Sequence, residues 1–277
     1  MTLIVGGTGE IGRALIAYGR NAGCTFRATA RNANEAHVLD LASPPETWKI
    51  PDGVDAAIIC ASVSGIDACE RDPTGTFSVN VTATITLADR LSAKGAKVSF
   101  LSSSQVFDPK DLAPSEGRSP HPLTEYGRQK LAVERYLMGH FPDSQVIRLT
   151  KVVSSQSPRF REWTASLARE EQISASSNLF FSPIGVEEAA GMIWMIASSS
   201  HTGIFHLSAS DSISYLDAAM WIASARRAKS GLVGDCLALN PNTPESCRLS
   251  CDRTAELVGY RPKPSLTHLQ ASFTSLS

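Results

Sequence analysis

Short apolar segments alternate with longer stretches of mixed polarity through the first 150 residues of the chain. Each short segment is nearly continuously apolar, which is typical of strands buried on both faces of a parallel sheet. The longer stretches have the length of helices. This strand–helix alternation predicts an α/β fold with a doubly wound parallel sheet. The predicted strands are 2–6, 25–30, 37–41, 56–61, 98–102 and 146–149, and the predicted helices are 11–22, 73–94 and 122–139.

The pattern is less regular after residue 150. Helices are predicted at 161–170, 186–198 and 215–228, and strands at 203–207 and 232–239. We therefore expect one α/β domain over residues 1–150 and a smaller lobe over 151–277, interleaved with the first. Open α/β sheets bind ligands at the carboxyl ends of their strands, so we expect the lobe to cover that edge as a substrate-binding lobe.

A glycine-rich loop lies between the first predicted strand and the first predicted helix. Its glycines are three residues apart, in the segment GGTGEIG. Such a loop allows a tight turn, a close backbone approach to a pyrophosphate and close helix–strand packing, and the helix N-terminus offers N–H groups to the anion. A purely structural turn is the alternative. We predict a Rossmann dinucleotide site that includes Gly6, Thr8, Gly9, Glu10, Ile11 and Gly12.

The end of the second predicted strand indicates which dinucleotide binds. NAD sites usually place a carboxylate there, whereas this chain has Arg31. A guanidinium suits a 2′-phosphate, which favours NADP(H), with NAD(H) as the alternative cofactor. Arg31 as a solvated surface charge is the competing interpretation. Asp40 either hydrogen-bonds the adenine or caps the following turn, and Leu41, Ala61 and Ser62 at strand ends complete the predicted cofactor contacts.

Tyr126 and Lys130 are four residues apart in a predicted helix and therefore share one face. A neighbouring positive charge favours the phenolate, so we expect Lys130 to lower the pKa of Tyr126. A tyrosine tuned in this way can exchange a proton with a carbonyl or alcohol oxygen while hydride moves. Lys130 can also hold the nicotinamide ribose. Taken alone, a tyrosine and a lysine at this spacing are more often two side chains on the surface of a helix without a catalytic role.

Three serines, Ser102, Ser103 and Ser104, end the predicted strand upstream of that helix. They lie at the same edge of the sheet as the glycine loop. One of these hydroxyls can hydrogen-bond a substrate carbonyl and stabilise developing negative charge. Local turn hydrogen bonds are the alternative role. The three elements together, in this order, indicate an oxidoreductase.

On these motifs the chain resembles the extended short-chain dehydrogenase/reductases that act on nucleotide sugars, most closely the dTDP-4-dehydrorhamnose reductase branch. The similar segments are GGTGEIG, SFLSSSQVFD, EYGRQKLAVE and SVNVTATITLADRL. The resemblance implies that Ser103, Tyr126 and Lys130 are catalytic and that Asn80 is an active-site asparagine near the cofactor. It also implies a homodimer formed through the helices that carry Asn80 and Tyr126.

Two departures from the family pattern narrow the activity. Dehydratases need carboxylates beside the substrate, and Ser104 and Gln105 are neutral. Epimerases usually have an acidic second-strand end, where this chain has Arg31. We therefore predict an NADP(H)-dependent reductase of a keto group on a nucleotide sugar. An NAD-dependent epimerase and a non-catalytic dinucleotide-binding regulatory protein are the alternatives. Candidates for contacting the substrate diphosphate are Arg159, Arg161 and Arg248, each of which surface solvation also explains.

Composition excludes several other classes of protein. The 26 Lys and Arg residues nearly balance the 27 Asp and Glu residues, which argues against a nucleic-acid or membrane-surface partner. No apolar run has the length of a membrane span, and the N-terminal residues have no secretory pattern. The six cysteines are scattered without metal-binding spacing, which is typical of thiols in a reducing cytoplasm. We therefore expect a cytoplasmic protein without a metal centre.

Overall fold

A seven-stranded sheet forms the centre of the computed structural model, which describes residues 1–31, 37–237 and 248–274. The central strands are β1 (Thr2–Val5), β2 (Phe26–Ala30), β3 (His37–Val38), β4 (Ala56–Ile59), β5 (Lys97–Ser103), β6 (Gln145–Leu149) and β11 (Gly203–Leu207). Their order in the sheet is β11-β6-β5-β4-β1-β2-β3, and every neighbouring pair is parallel. The remaining strands are β7 (Lys151–Val153), β8 (Ile173–Ser176), β9 (Phe180–Phe181), β10 (Pro183–Gly185), β12 (Ile213–Ser214) and β13 (Val233–Cys236).

Helices cover both faces of this sheet and bury two separate apolar layers. The described helices are α1 (Glu10–Asn21), α2 (Ile66–Arg71), α3 (Pro73–Phe77), α4 (Thr84–Ser92), α5 (Glu125–His140), α6 (Pro158–Ala168), α7 (Val186–Ser198), α8 (Tyr215–Ala225), α9 (Asp252–Val258) and α10 (Ser265–Thr274). Leu87 of α4 and Leu137 of α5 belong to one layer, and Leu15 of α1 and Ile193 of α7 belong to the other. Two-sided burial explains why the strands are almost continuously apolar.

A third apolar core lies outside the central sheet. It packs aromatic residues of α6, α8, β9 and α10, among them Phe160, Trp163, Tyr215 and Phe273. Three two-stranded ladders border this core: β7 with β10, β9 with β12, and β8 with β13. These ladders place β7 and β9 beside the carboxyl end of β6, where a ligand of an open sheet would bind.

The predicted doubly wound sheet is confirmed, with differences in its parts. Segment 203–207, predicted as a strand of the second lobe, pairs with β6 as an edge strand of the central sheet. Predicted helix 73–94 is divided into α3, a π-helical turn at Ser78–Ala83 and α4. Helices α2, α9 and α10 and the short strands β7, β8, β9, β10 and β12 were not predicted, because such segments show no clear period. Strand β13 lies within predicted strand 232–239. Part of predicted strand 232–239 lies outside the described residues, and the domain division near residue 150 stays a prediction.

In the described part of the chain, no helix combines the length and the apolar character needed to cross a membrane.

Two glycines of the loop after β1 are required by the backbone geometry. Gly6 has φ +95°, a left-handed conformation that favours glycine. A Cβ atom on Gly12 would lie 2.1 Å from the carbonyl oxygen of Gly6, so α1 approaches the loop through backbone contact. The loop can therefore hold its shape only with glycine at both positions.

We expect Gly12→Ala to displace the loop from α1 and to lower the free energy of unfolding by about 1–3 kcal/mol. The matched control is Gly139→Ala in α5, where an added Cβ meets no atom within 4 Å. There alanine should raise stability by about 0.5–1 kcal/mol, since it favours the helix. Urea unfolding followed by circular dichroism measures both, and equal stability of the two variants would contradict the packing account.

Candidate active site

A cavity of about 560 Å³ lies at the carboxyl ends of the central strands. The glycine loop, the turn after β4, the end of β5 and helix α5 form one part of its wall. Strands β7 and β9 and the first residue of α8 form another part. The cavity therefore brings the predicted dinucleotide loop and the predicted catalytic residues together with side chains from the second half of the chain.

The glycine loop is fixed to the neighbouring strand and leaves its helix N-terminus facing the cavity. The N–H groups of Gly6 and Gly7 donate to Thr29 Oγ1 at 3.2 Å and to the Thr29 carbonyl at 2.8 Å. Gly9 is the N-cap of α1 without a side-chain cap, and Gly9 and Ile11 line the cavity. The first N–H groups of a helix have no acceptor within the helix. This donor set fits the pyrophosphate of a dinucleotide.

Glu10, the first residue of α1, also lines the cavity, but its carboxylate is already hydrogen-bonded. Ser157 Oγ donates to Glu10 Oε1 at 2.8 Å, and Ser154 Oγ donates to the same oxygen. Both serines belong to the loop between β7 and α6. Glu10 therefore joins the glycine loop to the second half of the chain.

Tyr126 enters the cavity because α5 begins very close to the end of β5. Thr124 caps the helix by accepting the Gly127 N–H at 3.0 Å. A Cβ atom on Gly127 would lie 2.0 Å from the carbonyl oxygen of Gln105, so only glycine permits this approach. The contact places the Tyr126 phenol in hydrogen-bonding position to the Ser62 and Ser103 hydroxyls.

Lys130 lies one turn further along α5 and is only 4% exposed. Its Nζ donates to the Leu101 carbonyl oxygen at 2.9 Å. Nζ also lies 4.7 Å from the centre of the Phe100 ring and 5.6 Å from the centre of the Tyr126 ring. The ammonium is thus held between β5 and the catalytic tyrosine candidate.

The expected lowering of the Tyr126 pKa is wrong for this structure. Burial raises the pKa of Tyr126 to about 12, although the hydrogen bonds from Ser62 and Ser103 oppose that rise. Burial also lowers the pKa of Lys130 to about 8. The physical reason is that removing the Tyr126 phenolate or the Lys130 ammonium from water costs more free energy than the interactions with nearby groups restore. The phenol is therefore protonated at neutral pH and can act as a proton donor.

The three serines at the end of β5 have different surroundings. Ser103 is the one that interacts with Tyr126, and its Oγ also accepts the Gln105 N–H at 3.2 Å. Ser102 donates its hydroxyl to Glu134 instead. Ser104 is buried and lines the cavity as well. The geometry thus supports Ser103 as the partner of Tyr126, as the family resemblance implied.

Asn80 does not line the cavity, unlike the expectation for a residue near the cofactor. It lies in the π-helical turn and is 2% exposed. Its Oδ1 accepts the Val63 N–H at 2.7 Å, and its Nδ2 donates to the Val63 carbonyl at 2.9 Å and to Gln129 Oε1 at 2.8 Å. Asn80 therefore holds the loop that presents Ser62 to Tyr126.

The other predicted cofactor residues lie around the cavity rather than in it, except Ser62. Arg31 is exposed, directly after β2. Asp40 Oδ1 accepts the Ala42 N–H at 3.0 Å, which is the turn-capping alternative. Leu41 is buried in the core formed with α4 and α5. Ala61 packs against Gly6, where an added Cβ would lie 2.9 Å from the Ala61 Cβ.

Several residues of interest were missed by sequence reasoning. The guanidinium of Arg13 donates a hydrogen bond to the carbonyl oxygen of Thr8, an exposed residue of the glycine loop. Arg13 therefore adds a cation beside this loop, in addition to Arg31. Lys151 in β7 lines the cavity together with Phe180 and Tyr215. The position of Lys151 just after a predicted strand end was the available signal for it.

The three arginines proposed for a substrate diphosphate separate in the structure. The Arg159 guanidinium lies 4.8 Å from the ring centre of Tyr215, a cavity residue. Arg161 is exposed on α6 and does not line the cavity. Arg248 donates to the Ser210 carbonyl at 2.7 Å and also lies outside the cavity wall. Only Arg159 is therefore placed next to the site.

A buried polar network lies under this site. Ser102, Arg148 and His206 are register partners on β5, β6 and β11. Arg148 Nη2 donates to Glu134 Oε2 at 2.7 Å, and its Nη1 lies 3.3 Å from His206 Nε2. Burial lowers the pKa of His206 to about 3, and the Arg148 charge acts in the same direction. His206 is therefore neutral, accepts from Arg148 and donates through Nδ1 to the Ser250 carbonyl, 2.9 Å away.

Comparison with known proteins gives a family for the whole chain. The model of the RmlD substrate binding domain matches residues 1–277. Methionine adenosyltransferase 2 subunit beta of Bos taurus is 28% identical over 94% of this chain and 83% of that protein. The dTDP-4-dehydrorhamnose reductase of Sinorhizobium fredii is 26% identical over 75% of each chain. A probable low-salt glycan biosynthesis reductase of Haloferax volcanii is 27% identical over 65% of this chain, and the match spans 63% of that relative, less than two thirds of its length.

Solved structures share the fold at low sequence identity. A dTDP-4-dehydrorhamnose reductase from Bacillus anthracis in complex with NADP has a TM-score of 0.85 at 19% identity, over 99% of this chain and 98% of that one. MoeE5 in complex with UDP-glucuronic acid and NAD has a TM-score of 0.84 at 19% identity, over 98% and 96%. At these identities the similarity establishes the fold alone.

The fold and the family match define an extended short-chain dehydrogenase/reductase, a class of NAD(P)-dependent oxidoreductases. Within this class the chain belongs to the RmlD substrate binding domain family. The resemblance inferred from the sequence motifs is thereby confirmed.

The neutral, buried His206 predicts a loss of stability in acid. An unfolded histidine binds a proton below about pH 6.5, whereas folded His206 does so only near pH 3. Protons therefore favour the unfolded chain as the pH falls, and this group alone should remove about 2 kcal/mol between pH 6 and pH 4.5. Burial lowers the pKa of His268 too, which adds in the same direction.

Urea unfolding at these two pH values should show a smaller loss for His206→Gln, which keeps an acceptor for Arg148. His121→Gln, which replaces an exposed histidine, is the matched control. If His206→Gln lost as much stability in acid as the unaltered protein, the assigned protonation state of His206 would be incorrect.

Proposed function

We propose that this protein is an NADPH-dependent reductase of a keto group on a nucleotide-linked sugar. The observation that carries the proposal is the convergence of Ser103, Tyr126 and Lys130 with the glycine loop on one cavity. Of these four elements, only Tyr126 and Lys130 lie close together in the sequence, so it is the fold that brings all four to one cavity. The arrangement provides a proton donor, its hydrogen-bond partners and an anion-binding helix end in one place.

Proton transfer is the part of the reaction that the chain itself performs. A bound nicotinamide cofactor supplies the hydride that reduces the carbonyl carbon. Tyr126 Oη holds the proton that the carbonyl oxygen receives, which completes the alcohol. Ser103 is placed to orient that oxygen, and the hydroxyls of Ser62 and Ser103 stabilise the phenolate that remains. The Lys130 ammonium favours the same negative charge.

The residues around the cavity suit NADP(H). The free N–H groups at the start of α1 would hold the pyrophosphate, and Lys130 would bind ribose hydroxyls. Arg31 and Arg13 would meet a 2′-phosphate, since the Arg13 guanidinium lies beside the glycine loop and Arg31 directly follows β2, the strand bonded to that loop. NAD(H) stays the alternative cofactor. Relatives of this fold were crystallised with each of the two.

A nucleotide sugar suits the wall formed by β7, β9 and α8. Lys151 supplies a cation to that wall, and Arg159 lies against Tyr215. Phe180 is 40% exposed and gives the cavity an aromatic surface on which a base can stack. Because a diphosphate is negatively charged, the positive charges of Lys151 and Arg159 suit it. Ser104 and Gln105 are neutral, which supports reduction over elimination of water.

A non-catalytic regulatory role is a second candidate. The similarity to methionine adenosyltransferase 2 subunit beta, over 94% of this chain, favours it. Retention of Ser103, Tyr126 and Lys130 in one cavity favours the enzyme. Homodimerisation through the helical segments that carry Asn80 and Tyr126, and a cytoplasmic location, stay predictions.

We expect NADPH to bind more tightly than NADH, and Arg31→Ala to weaken NADPH binding about tenfold while leaving NADH binding unchanged. The reason is that only NADPH offers a 2′-phosphate to the guanidinium, and a charge-assisted hydrogen bond contributes about 1.5 kcal/mol. Arg161→Ala, which removes an exposed guanidinium outside the cavity, is the matched control. A titration that monitors cofactor fluorescence measures the affinity of each of the three proteins for each of the two cofactors. Tighter NADH binding, or NAD that copurifies, would instead favour the epimerase.

We expect Tyr126→Phe to lower kcat on a nucleotide-linked keto sugar by about 10²–10⁴-fold without weakening NADPH binding, because it removes only the proton donor. Tyr136→Phe, on the same helix but bonded to Asp89 at 2.9 Å, is the control and should keep its turnover. NADPH oxidation in the presence of dTDP-4-dehydrorhamnose and other nucleotide-linked keto sugars is the assay. Cofactor binding with no turnover of any such sugar would support the regulatory role.

A further inference from the structure

Helix α5 carries Glu134 one turn beyond Lys130, so Tyr126, Lys130 and Glu134 form a row with a spacing of four residues. We propose that Glu134, clamped by Arg148, is a positioning residue that keeps Lys130 charged and directed at the site. The inference rests on the proposed function for its catalytic meaning. Its physical content, a coupling between two buried side chains, can be measured without any substrate.

Glu134 is held by more hydrogen bonds than a helix surface would provide. Arg148 Nε donates to Glu134 Oε1 at 3.0 Å, and Nη2 donates to Oε2 at 2.7 Å, which is a bidentate pair. Ser102 donates to Oε1 as well. The side chains of Arg148 and Glu134 are only 1% and 3% exposed. Both carboxylate oxygens of Glu134 are therefore held by hydrogen bonds from β5 and β6.

The sheet fixes this clamp relative to the active site. Ser102 and Arg148 are register partners, and the next register pair along the same strands is Ser103 with Leu149. The clamp thus lies one residue before the catalytic serine candidate. His206 on β11 is the register partner of Arg148 on its other side. The Phe107 ring lies 4.9 Å from the Arg148 guanidinium. Because both ends of the ion pair are tied to strands, α5 has one position against β5.

Most groups facing Lys130 are neutral at physiological pH. Tyr126 on the same helix has a pKa of about 12, as does Cys60 after β4. Burial also raises the pKa of Cys69 on α2. From β5 come the Leu101 carbonyl and the Phe100 ring. A thiol or phenol that keeps its proton exerts no full charge on the ammonium.

Burial lowers the pKa of Lys130, and Cys60 and then Glu134 act on it in the opposite direction. Glu134 differs from Cys60 because its carboxylate is held in an ion pair with Arg148, whereas burial keeps the proton on the Cys60 thiol. Without the negative charge of Glu134, burial would lower the pKa of Lys130 further, and Lys130 would lose its proton nearer to neutral pH. A neutral Lys130 cannot stabilise the Tyr126 phenolate. The two side chains are therefore coupled in a way that a purely structural ion pair would not require.

The test is the titration of Lys130 in Glu134→Gln. Protein labelled with ¹³C at lysine Cε is followed by NMR across pH, with Lys130→Met identifying the resonance. We expect the midpoint of Lys130 to fall by about one pH unit in Glu134→Gln. Glu125→Gln removes a carboxylate from the same helix, where it pairs with Arg128 at 2.9 Å, and should leave the midpoint in place. An unchanged midpoint in Glu134→Gln overturns the proposal.

A second variant keeps the test valid if Glu134→Gln leaves Arg148 unpaired and fails to fold. Glu134→Gln/Arg148→Met removes both buried charges, and the midpoint of Lys130 should fall in it too. In an active enzyme, the alkaline limb of the kcat profile should move to lower pH with the midpoint. A lowered midpoint with no turnover of keto sugars by the unaltered protein would overturn the proposed function and leave the coupling established. An unchanged midpoint in an active enzyme would overturn the coupling alone.

Discussion

The burial of the Lys130 ammonium between β5 and α5 is the constraint on which the rest of the site depends. Burying a charged amine costs it the favourable hydration free energy that it has in water, and interactions with its neighbours compensate for part of that cost. The Leu101 carbonyl accepts a hydrogen bond, the Phe100 ring faces the charge, and Glu134 contributes a negative charge from the next turn. Because that compensation is incomplete, the pKa of Lys130 is lowered to about 8.

The same burial determines the state of Tyr126. A phenol in a poorly hydrated cavity keeps its proton, whereas the sequence had suggested that a nearby cation would remove it. A protonated phenol surrounded by the Ser62 and Ser103 hydroxyls suits the reduction of a carbonyl, since the proton is on the donor before the reaction begins. The oxidation of an alcohol would require the opposite starting state. The direction of the proposed reaction therefore agrees with the electrostatics of the cavity.

Backbone contact through glycine allows this geometry. Gly12 lets α1 touch the loop that follows β1, and Gly127 lets α5 touch the turn that follows β5. Each contact brings a helix N-terminus to the edge of the sheet where the cavity opens. Asn80 and the Arg148–Glu134 pair then fix the loops and helices around it. The candidate catalytic residues are thus placed by a frame of buried polar contacts, which are directional, rather than by apolar packing alone.

The glycine loop, the tyrosine–lysine pair and the strand that ends in serines could be found in the sequence because each is local. Spacings of three and four residues, and apolar runs of strand length, express the geometry of one helix or one strand. The choice of Ser103 over its neighbours came from the family resemblance, and in the structure Ser103 is the one of the three serines that interacts with Tyr126. Asp40 and Asn80 were harder to interpret, because each had a ligand-binding and a structural interpretation that only its hydrogen-bond partners distinguish.

The sequence by itself determined the alternation of strands and helices in the first 150 residues, the glycine-rich loop after β1, and Tyr126 as the candidate proton donor. Only the tertiary structure decided that segment 203–207 joins the central sheet, that Lys151 and Arg13 lie beside the site, and that Ser102, Arg148 and His206 share one level of the sheet. It also decided the charge states of Tyr126 and Lys130. The physical reason is that strand register and burial depend on residues far apart in the chain, and neither leaves a periodic signal in the sequence.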